Sequence, residues 1–286
     1  MLLKHCVTSL PVRGLSSVRN YSIKSTLSEN EIQKFSKMAN EWWDVNGPFS
    51  GLHSLNKLRV PFIRNGICSH QKSAVVNNSP TSPLAGCSIL DVGCGGGILS
   101  TSLGRLGASV TGLDPSEENT AAASLHANKM RLQNVTFEVN TIEHFQALNT
   151  SLSTTFDAVV ASEVIEHVEN PKFFIQTCTE LLKPGGSLFI TTLNRTPASW
   201  ALAICGAEYI LNVVPRGTHD WNKFITPDEL IDYINSSGCQ LRQICGMAYN
   251  PFMNKWKWSR TTSVNYAVHA TKSSQVVTDD VIQNLN

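Results

Sequence analysis

No C-x-x-C pair occurs among Cys6, Cys68, Cys87, Cys94, Cys178, Cys205, Cys239 and Cys245, so neither a zinc site nor a disulfide framework is implied. No stretch reaches the roughly 18 apolar residues of a membrane span. The chain is therefore expected to be soluble or peripheral. No internal repeat is visible, and the formal net charge is only +1, which predicts no nucleic-acid partner. Acids are missing altogether from residues 1 to 28, where Lys4, Arg13, Arg19 and Lys24 stand among serines and leucines. That composition is expected of a mitochondrial transit peptide, with Arg19-Asn20-Tyr21-Ser22 similar to a matrix-processing site. Cleavage after Tyr21 would leave a slightly acidic mature chain, and reduced thiols suit the matrix.

What the chain does have is 286 residues of 42% hydrophobic content, enough for one large α/β domain with decorations. Its centre is Ser88 to Gly97, S-I-L-D-V-G-C-G-G-G, a short apolar run that ends in Asp91 and breaks into glycines. This spacing predicts a buried strand, a tight turn and a helix starting at Ile98, with Gly93, Gly95, Gly96 and Gly97 supplying positive φ and close backbone approach. Such a turn at the carboxyl end of a parallel strand cradles a nucleotide. A dinucleotide fingerprint starting at Gly93 would need glycine at position 98, which is Ile98. The next strand ends in Asp114, 21 residues past Gly93, where an acid accepts ribose hydroxyls. Acid-x-Gly-x-Gly-x-Gly followed by this second acid resembles class I methyltransferases that bind S-adenosylmethionine.

Strands are expected near 88–92, 108–113, 135–139, 156–161, 187–193, 240–248 and 263–271, alternating with helices through most of their length. Seven strands fit a Rossmann-like class I methyltransferase sheet. Lys183-Pro184-Gly185-Gly186 is expected to be a turn, and Thr226-Pro227-Asp228-Glu229 a capped helix start. Upstream, Ser28-x-x-Glu31 predicts a capped amphipathic helix carrying Ile32, Phe35, Ala39, Trp42 and Trp43. Residues 66–86 are expected to form a disordered polar insertion, and 273–286 a frayed tail.

Trp42 to Arg59 carries W-W-D, then G-P-F and L-H-S-L-N-K-L-R. This pattern in front of the glycine turn resembles the ubiquinone biosynthesis O-methyltransferases, over about Ser28 to Lys272, with Lys57 where the family has proline. The resemblance implies a methyltransferase domain over 22–272 that binds S-adenosylmethionine through Arg59, Asp91, Gly93, Gly95, Asp114 and Ser162. Arg59 would reach the cofactor carboxylate, since a guanidinium fork suits a planar anion. His53 and Asn56 would line the entrance, and Ser162 would contact the adenosyl group through its backbone.

After strand four, S-E-V-I-E-H-V places Glu163, Glu166 and His167 beyond the carboxyl end of the sheet. Three readings stand. The cluster could hold Mg²⁺ against the two oxygens of a catechol, His167 could act as general base oriented by Glu166, or the motif could be structural. His219 and Asp220 form a second candidate base pair. Thr192 to Asp220 is an apolar segment in which Trp200, Ala203, Ile204, Ala207, Leu211 and Val214 share one helical face. Within an insertion over 194–225, it is expected to be a lid facing anionic inner-membrane lipids, with Arg195 and Arg216 near head groups.

The expected activity is O-methylation of 3,4-dihydroxy-5-polyprenylbenzoate and demethylubiquinol, on the matrix side of the inner membrane, alongside other ubiquinone-biosynthesis proteins. A C-methyltransferase of the same pathway and a scaffold without catalysis are the alternatives. Chelator insensitivity would favour the first, and the intact cradle with Asp114 and Arg59 argues against the second.

Overall fold

The computed structural model of the chain describes residues 26, 29–70, 79–149, 155–201 and 220–274. The expected transit peptide, residues 202–219 of the expected lid, and the tail beyond 274 lie outside the described residues.

Strands β1 (Ser88–Val92), β2 (Ser109–Asp114), β3 (Val135–Val139), β4 (Phe156–Ser162) and β5 (Leu182–Leu193) run parallel. They are joined through α3 (Ile98–Arg105), α4 (Glu117–Lys129), α5 (Ile142–Asn149) and α6 (Pro171–Glu180). Beyond them come a single helical turn α7 (Pro197–Ser199), α8 (Pro227–Ser236), β6 (Cys239–Asn250), β7 (Lys255–Ser259) and β8 (Asn265–Lys272). The sheet order is β3-β2-β1-β4-β5-β8-β6-β7, with β8 antiparallel to both of its neighbours. The sheet thus has eight strands, not seven. The extra one is β7, which pairs antiparallel with β6 across the turn Pro251–Asn254.

Near-continuous apolar strands bury both faces at the centre of this sheet, in β1, β4, β5 and β8, as strands covered by helices require. Leu90, Val159, Leu188 and Ile190 pack with Phe174 and Ile175 of α6 and with Leu230 and Ile234 of α8. On the opposite face Ile89, Ala158, Val160 and Phe189 pack with Leu103 of α3 and with Leu55, Ile63 and Ile67 of α2 (Ser50–His70). The residues of successive strand positions alternate between the two layers, which is the period of two of an extended chain.

Three expectations about local structure are corrected. The amphipathic N-terminal helix divides into α1 (Glu29–Ser36) and a 3-10 turn (Ala39–Glu41). Gly66 to His70 continue α2, and residues 79–86 form turns anchored by the fully buried Leu84, whose N–H donates to the Leu106 carbonyl at 2.9 Å. Only residues 71–78 of the expected insertion lie outside the described residues; the surrounding serines and asparagines masked its apolar anchors. Lys183–Gly186 belongs to β5, where the Lys183 ammonium pairs with Asp157 at 2.9 Å and the register shifts between Phe156 and Ala158. The α8 start is as expected, with Thr226 and Glu229 forming a reciprocal capping box.

Candidate active site

The carboxyl ends of β1, β2 and β4 open into one cavity of about 500 Å³. This is where an open parallel sheet binds its ligands. Gly93, Gly95 and Gly97 take the expected positive φ, whereas Gly96 does not and serves close approach instead, with Trp42 lying 2.2 Å from where its Cβ would project. The Gly95 turn is also tied down from two sides: its N–H donates to Asp114 Oδ2 at 2.9 Å, and the Trp42 ring lies where a Cβ would project, 2.4 Å from the nearest ring carbon. Trp42 stacks on Phe49 with centroids 3.7 Å apart and donates its indole N–H to Asn119 at 2.8 Å. Trp43 donates to the Gly96 carbonyl at 2.9 Å. The W-W pair therefore clamps the glycine turn from the N-terminal side.

Asp114 Oδ1 accepts from the Ser116 N–H at 3.0 Å and from Asn119 Nδ2 at 3.1 Å. Burial nevertheless raises its pKa, since desolvation disfavours the charged form. Asp91 is buried at the end of β1, accepts from the Ser100 hydroxyl at 2.5 Å, and is raised by burial to about 6.

Arg59 comes from α2, is 4% exposed, and is lowered by burial to about 10. Its Nε donates to Asn56 Oδ1 at 2.6 Å and its Nη1 to Ser162 Oγ at 2.8 Å, and Ser162 Oγ also lies 2.7 Å from Thr191 Oγ1. Asp91 and Glu163 both favour its charge, yet among the described residues no carboxylate forms an ion pair with it. A guanidinium held at two nitrogens by neutral partners, in a cavity, is built to receive an anion.

Glu163 follows β4 in a left-handed conformation, φ 59°, which side chains other than glycine rarely adopt and which clusters at functional sites. Burial, and then repulsion from Glu166, raises its carboxyl to about 7. One of its oxygens, Oε1, is buried with no hydrogen-bond partner. Glu166 Oε2 accepts from Thr192 at 2.8 Å, and the His167 ring meets Phe35 edge-on at 5.4 Å. All three line the cavity. Among the described residues, however, no three His, Cys, Asp or Glu side chains converge as a metal cluster, so the expected ligand triad is not assembled as these side chains stand.

The match to a methyltransferase domain family covers residues 65–244. The mitochondrial ubiquinone biosynthesis O-methyltransferase of Rattus norvegicus is 45% identical over 270 residues, which cover 94% of this chain and 76% of that protein. The chain belongs to the ubiquinone biosynthesis O-methyltransferase family. The bacterial family member from Bradyrhizobium diazoefficiens is 44% identical over 246 residues, 86% of this chain and 94% of its own length. The fold is also that of magnesium protoporphyrin IX methyltransferase from Synechocystis, solved with bound SAH, at a TM-score of 0.59 and 18% identity, covering 86% of this chain and all of that one. The sequence-based expectations of fold, family and methyltransferase activity are thus met.

Several finer placements differ from expectation. His53 and Asn56 do not line the main cavity; they border a smaller one with Trp43 and His126. His53 Nε2 lies 2.8 Å from the Trp42 carbonyl, and Asn56 Nδ2 donates to the Ile98 carbonyl and to Ser102, both at 2.9 Å. Their polar groups bind backbone and neighbouring side chains, so they shape the glycine turn and Arg59 from behind. The backbone of Ser162 is left to its expected contact with the adenosyl group, while its hydroxyl takes on a role the sequence did not suggest, accepting from Arg59. Arg195, expected near head groups, donates to the Phe224 carbonyl and ion-pairs with Glu229 of α8. Asp220 is exposed and caps the turn Trp221–Lys223, while His219 and Arg216 lie outside the described residues. Asn119, Thr191 and Thr192 were not singled out from sequence, and only their proximity after folding marks them.

Proposed function

We propose that this family member transfers the methyl group of S-adenosylmethionine to ring hydroxyls of polyprenylated ubiquinone precursors, a dihydroxy polyprenylbenzoate and a demethylubiquinol. The observation that carries this reading is the buried, anion-seeking Arg59 beside the glycine turn, with Asp114 closing the same turn. Arg59 binds the carboxylate of the amino-acid part of the donor, and Asp91 faces its ammonium. Asp114 takes the ribose hydroxyls, and Ser162 keeps Arg59 in register. The donor supplies an already activated sulfonium methyl, so the main task of the chain is alignment, which can contribute roughly 7–11 kcal/mol.

Removing the phenolic proton is the remaining task. Glu163, with a carboxyl near 7 and an unsatisfied oxygen, is suited to accept it at neutral pH. His167 and Glu166 line the same cavity and make up the rest of the acid–base set. The chemistry of this set also fits a hard cation: two like-charged carboxylates, one with an orphaned oxygen, beside an imidazole. Mg²⁺ would be held by Glu163, Glu166 and His167, and when bound would lower the pKa of a hydroxyl oxygen.

The mitochondrial name of the Rattus norvegicus relative and the acid-free N-terminus support a mitochondrial address. Among the described residues no helix is long and apolar enough to cross a membrane. A peripheral site on the matrix face, with anionic lipids and other ubiquinone-biosynthesis proteins as partners, completes the proposal. The test is methyl transfer by the full chain from labelled S-adenosylmethionine to a short-chain prenylated dihydroxybenzoate, with Mg²⁺ and then with excess chelator. Activity lost to chelator and restored by Mg²⁺ supports the metal at the two glutamates. Activity indifferent to chelator removes the metal and leaves the carboxyl and imidazole bases. Cofactor binding without transfer to any phenol overturns the acceptor.

A further inference from the structure

The most exposed large apolar side chain among the described residues is Phe252, 88% exposed, followed in sequence by Met253 at 58%. Both sit in the turn between β6 and β7, and this turn is pinned. Asn254, at φ 45°, receives hydrogen bonds at Oδ1 from Ser54 at 2.7 Å and from Tyr249 at 3.0 Å, while its Nδ2 donates to the Ser50 carbonyl. Met253 N–H donates to Asn250 Oδ1 at 3.1 Å. Two large apolar groups are thus held in water by a turn fixed to the start of α2, where apolar exposure of this size signals an interaction surface.

The charge along this part of the chain has one sign. Between Asp232 and Asp279 the sequence contains no acid, while Lys255, Lys257 and Arg260 follow the turn directly. The three cations are exposed. On β7 the lysines alternate with Trp256, stacked on Tyr249 at 4.8 Å, and with Trp258, which contacts Phe62 of α2 at 5.4 Å yet stays 41% exposed, so aromatic and basic side chains project from opposite faces of the strand. Pro251, immediately before Phe252, lines the candidate active-site cavity together with Tyr249 and Trp256. An apolar tip followed along one strand by exposed cations, with aromatics between them, matches the layered polarity of an anionic lipid surface better than the mixed polarity of a protein face.

We propose that the β6–β7 turn is a membrane-docking wedge: Phe252 and Met253 enter the acyl boundary of an anionic bilayer, and Lys255, Lys257 and Arg260 meet its head groups. This seats the cavity rim at the lipid surface, where a polyprenyl tail can remain in the bilayer while its ring enters. The purpose assigned to the wedge rests on the substrate reading above; the docking itself rests on the turn, and it does not depend on residues 194–225.

The test is flotation of the full chain with vesicles of phosphatidylcholine, with and without phosphatidylglycerol. The double variant Phe252→Ser with Met253→Ser is expected to lower partition onto anionic vesicles by about tenfold or more. Replacing Lys255, Lys257 and Arg260 with glutamine is expected to cost about fivefold per cation at low salt, on anionic vesicles alone. Thermal unfolding and methyl transfer to a water-soluble acceptor should be unchanged in both, because none of these five side chains lines the cavity. Wild-type partition in the Phe252, Met253 variant overturns the proposal. So does an oligomer of the wild-type chain in lipid-free buffer that this variant dissolves, which would assign the turn to a protein contact. Lost partition in the variants, with no methyl transfer by wild type to any phenol, would overturn the catalytic reading and leave the wedge standing.

Discussion

Replacing Gly95 with alanine tests whether the W-W pair is part of the cofactor cradle. The new methyl would stand 2.4 Å from the Trp42 ring, at a residue whose φ is 53°. Left-handed backbone costs an alanine about 1–2 kcal/mol, and overpacking adds about 1–3 kcal/mol, so the single variant should lose about 2–5 kcal/mol. Trp42→Leu removes the ring atoms that collide but keeps an apolar side chain, and alone costs about 2–3 kcal/mol in lost burial and the lost hydrogen bond to Asn119. In the double variant the collision is gone, so Gly95→Ala adds only its backbone strain to the cost of Trp42→Leu. Urea unfolding of the four proteins should therefore give a double-mutant coupling of about 1–3 kcal/mol in favour of the pair. Losses that add to within about 0.5 kcal/mol would show that Trp42 does not lie on the turn, and the clamp would have to be abandoned.

Arg59→Met should weaken S-adenosylhomocysteine binding by about 1.5–3 kcal/mol in calorimetry, and Arg59→Lys should recover little because the fork is lost; unchanged affinity would remove Arg59 from the carboxylate site. Ser162→Ala, which releases Arg59 Nη1, should cost about 1 kcal/mol of the same affinity and, by leaving a buried guanidinium N–H unpaired, about 1–3 kcal/mol of stability in the cofactor-free chain. The raised carboxyls make the fold pH-dependent. Glu163 and Asp91 hold protons in the folded chain that the unfolded chain has released, so their contribution is full below about pH 4 and is lost as pH rises through about 6 to 7. His269, lowered to about 4 by burial, acts in the opposite sense: its contribution is present above about 6.5 and lost as pH falls towards 4. Comparison with Glu163→Gln isolates the first effect: the variant should gain up to about 3 kcal/mol relative to wild type between pH 5 and 8, and a constant difference across that range would refute the raised carboxyl.

The central strands were legible because parallel strands covered on both faces are nearly unbroken apolar runs, and β1 and β4 lie where S-I-L-D-V and F-D-A-V-V-A place them. The site was legible where one local stretch creates it, as in Asp91 with the glycine turn. It was not legible where function depends on elements distant in the chain. Ser162 is 103 residues from the Arg59 it holds, and Trp42 is 77 from Asn119. Lys255–Ser259 alternates too briefly to stand out as a strand and needs β6 as its template. The left-handed backbone of Glu163 has no signature either, because nothing in S-E-V-I-E-H marks a residue other than glycine for positive φ.

The meeting of α2 with the turn before β1 has a practical consequence. Cys68 Sγ donates to the Pro83 carbonyl at 3.8 Å, so the chain on either side of residues 71–78 is drawn together by contacts of its own. Residues 79–87 lead into β1 at its amino end, whereas the candidate site lies at the carboxyl ends of the strands. Extra residues between two points already held together are cheap, since each doubling of the intervening length costs only about 0.6 kcal/mol. Epitopes or fluorescent reporters can therefore be spliced between His70 and Ser79 while the reaction is watched at the far edge of the sheet.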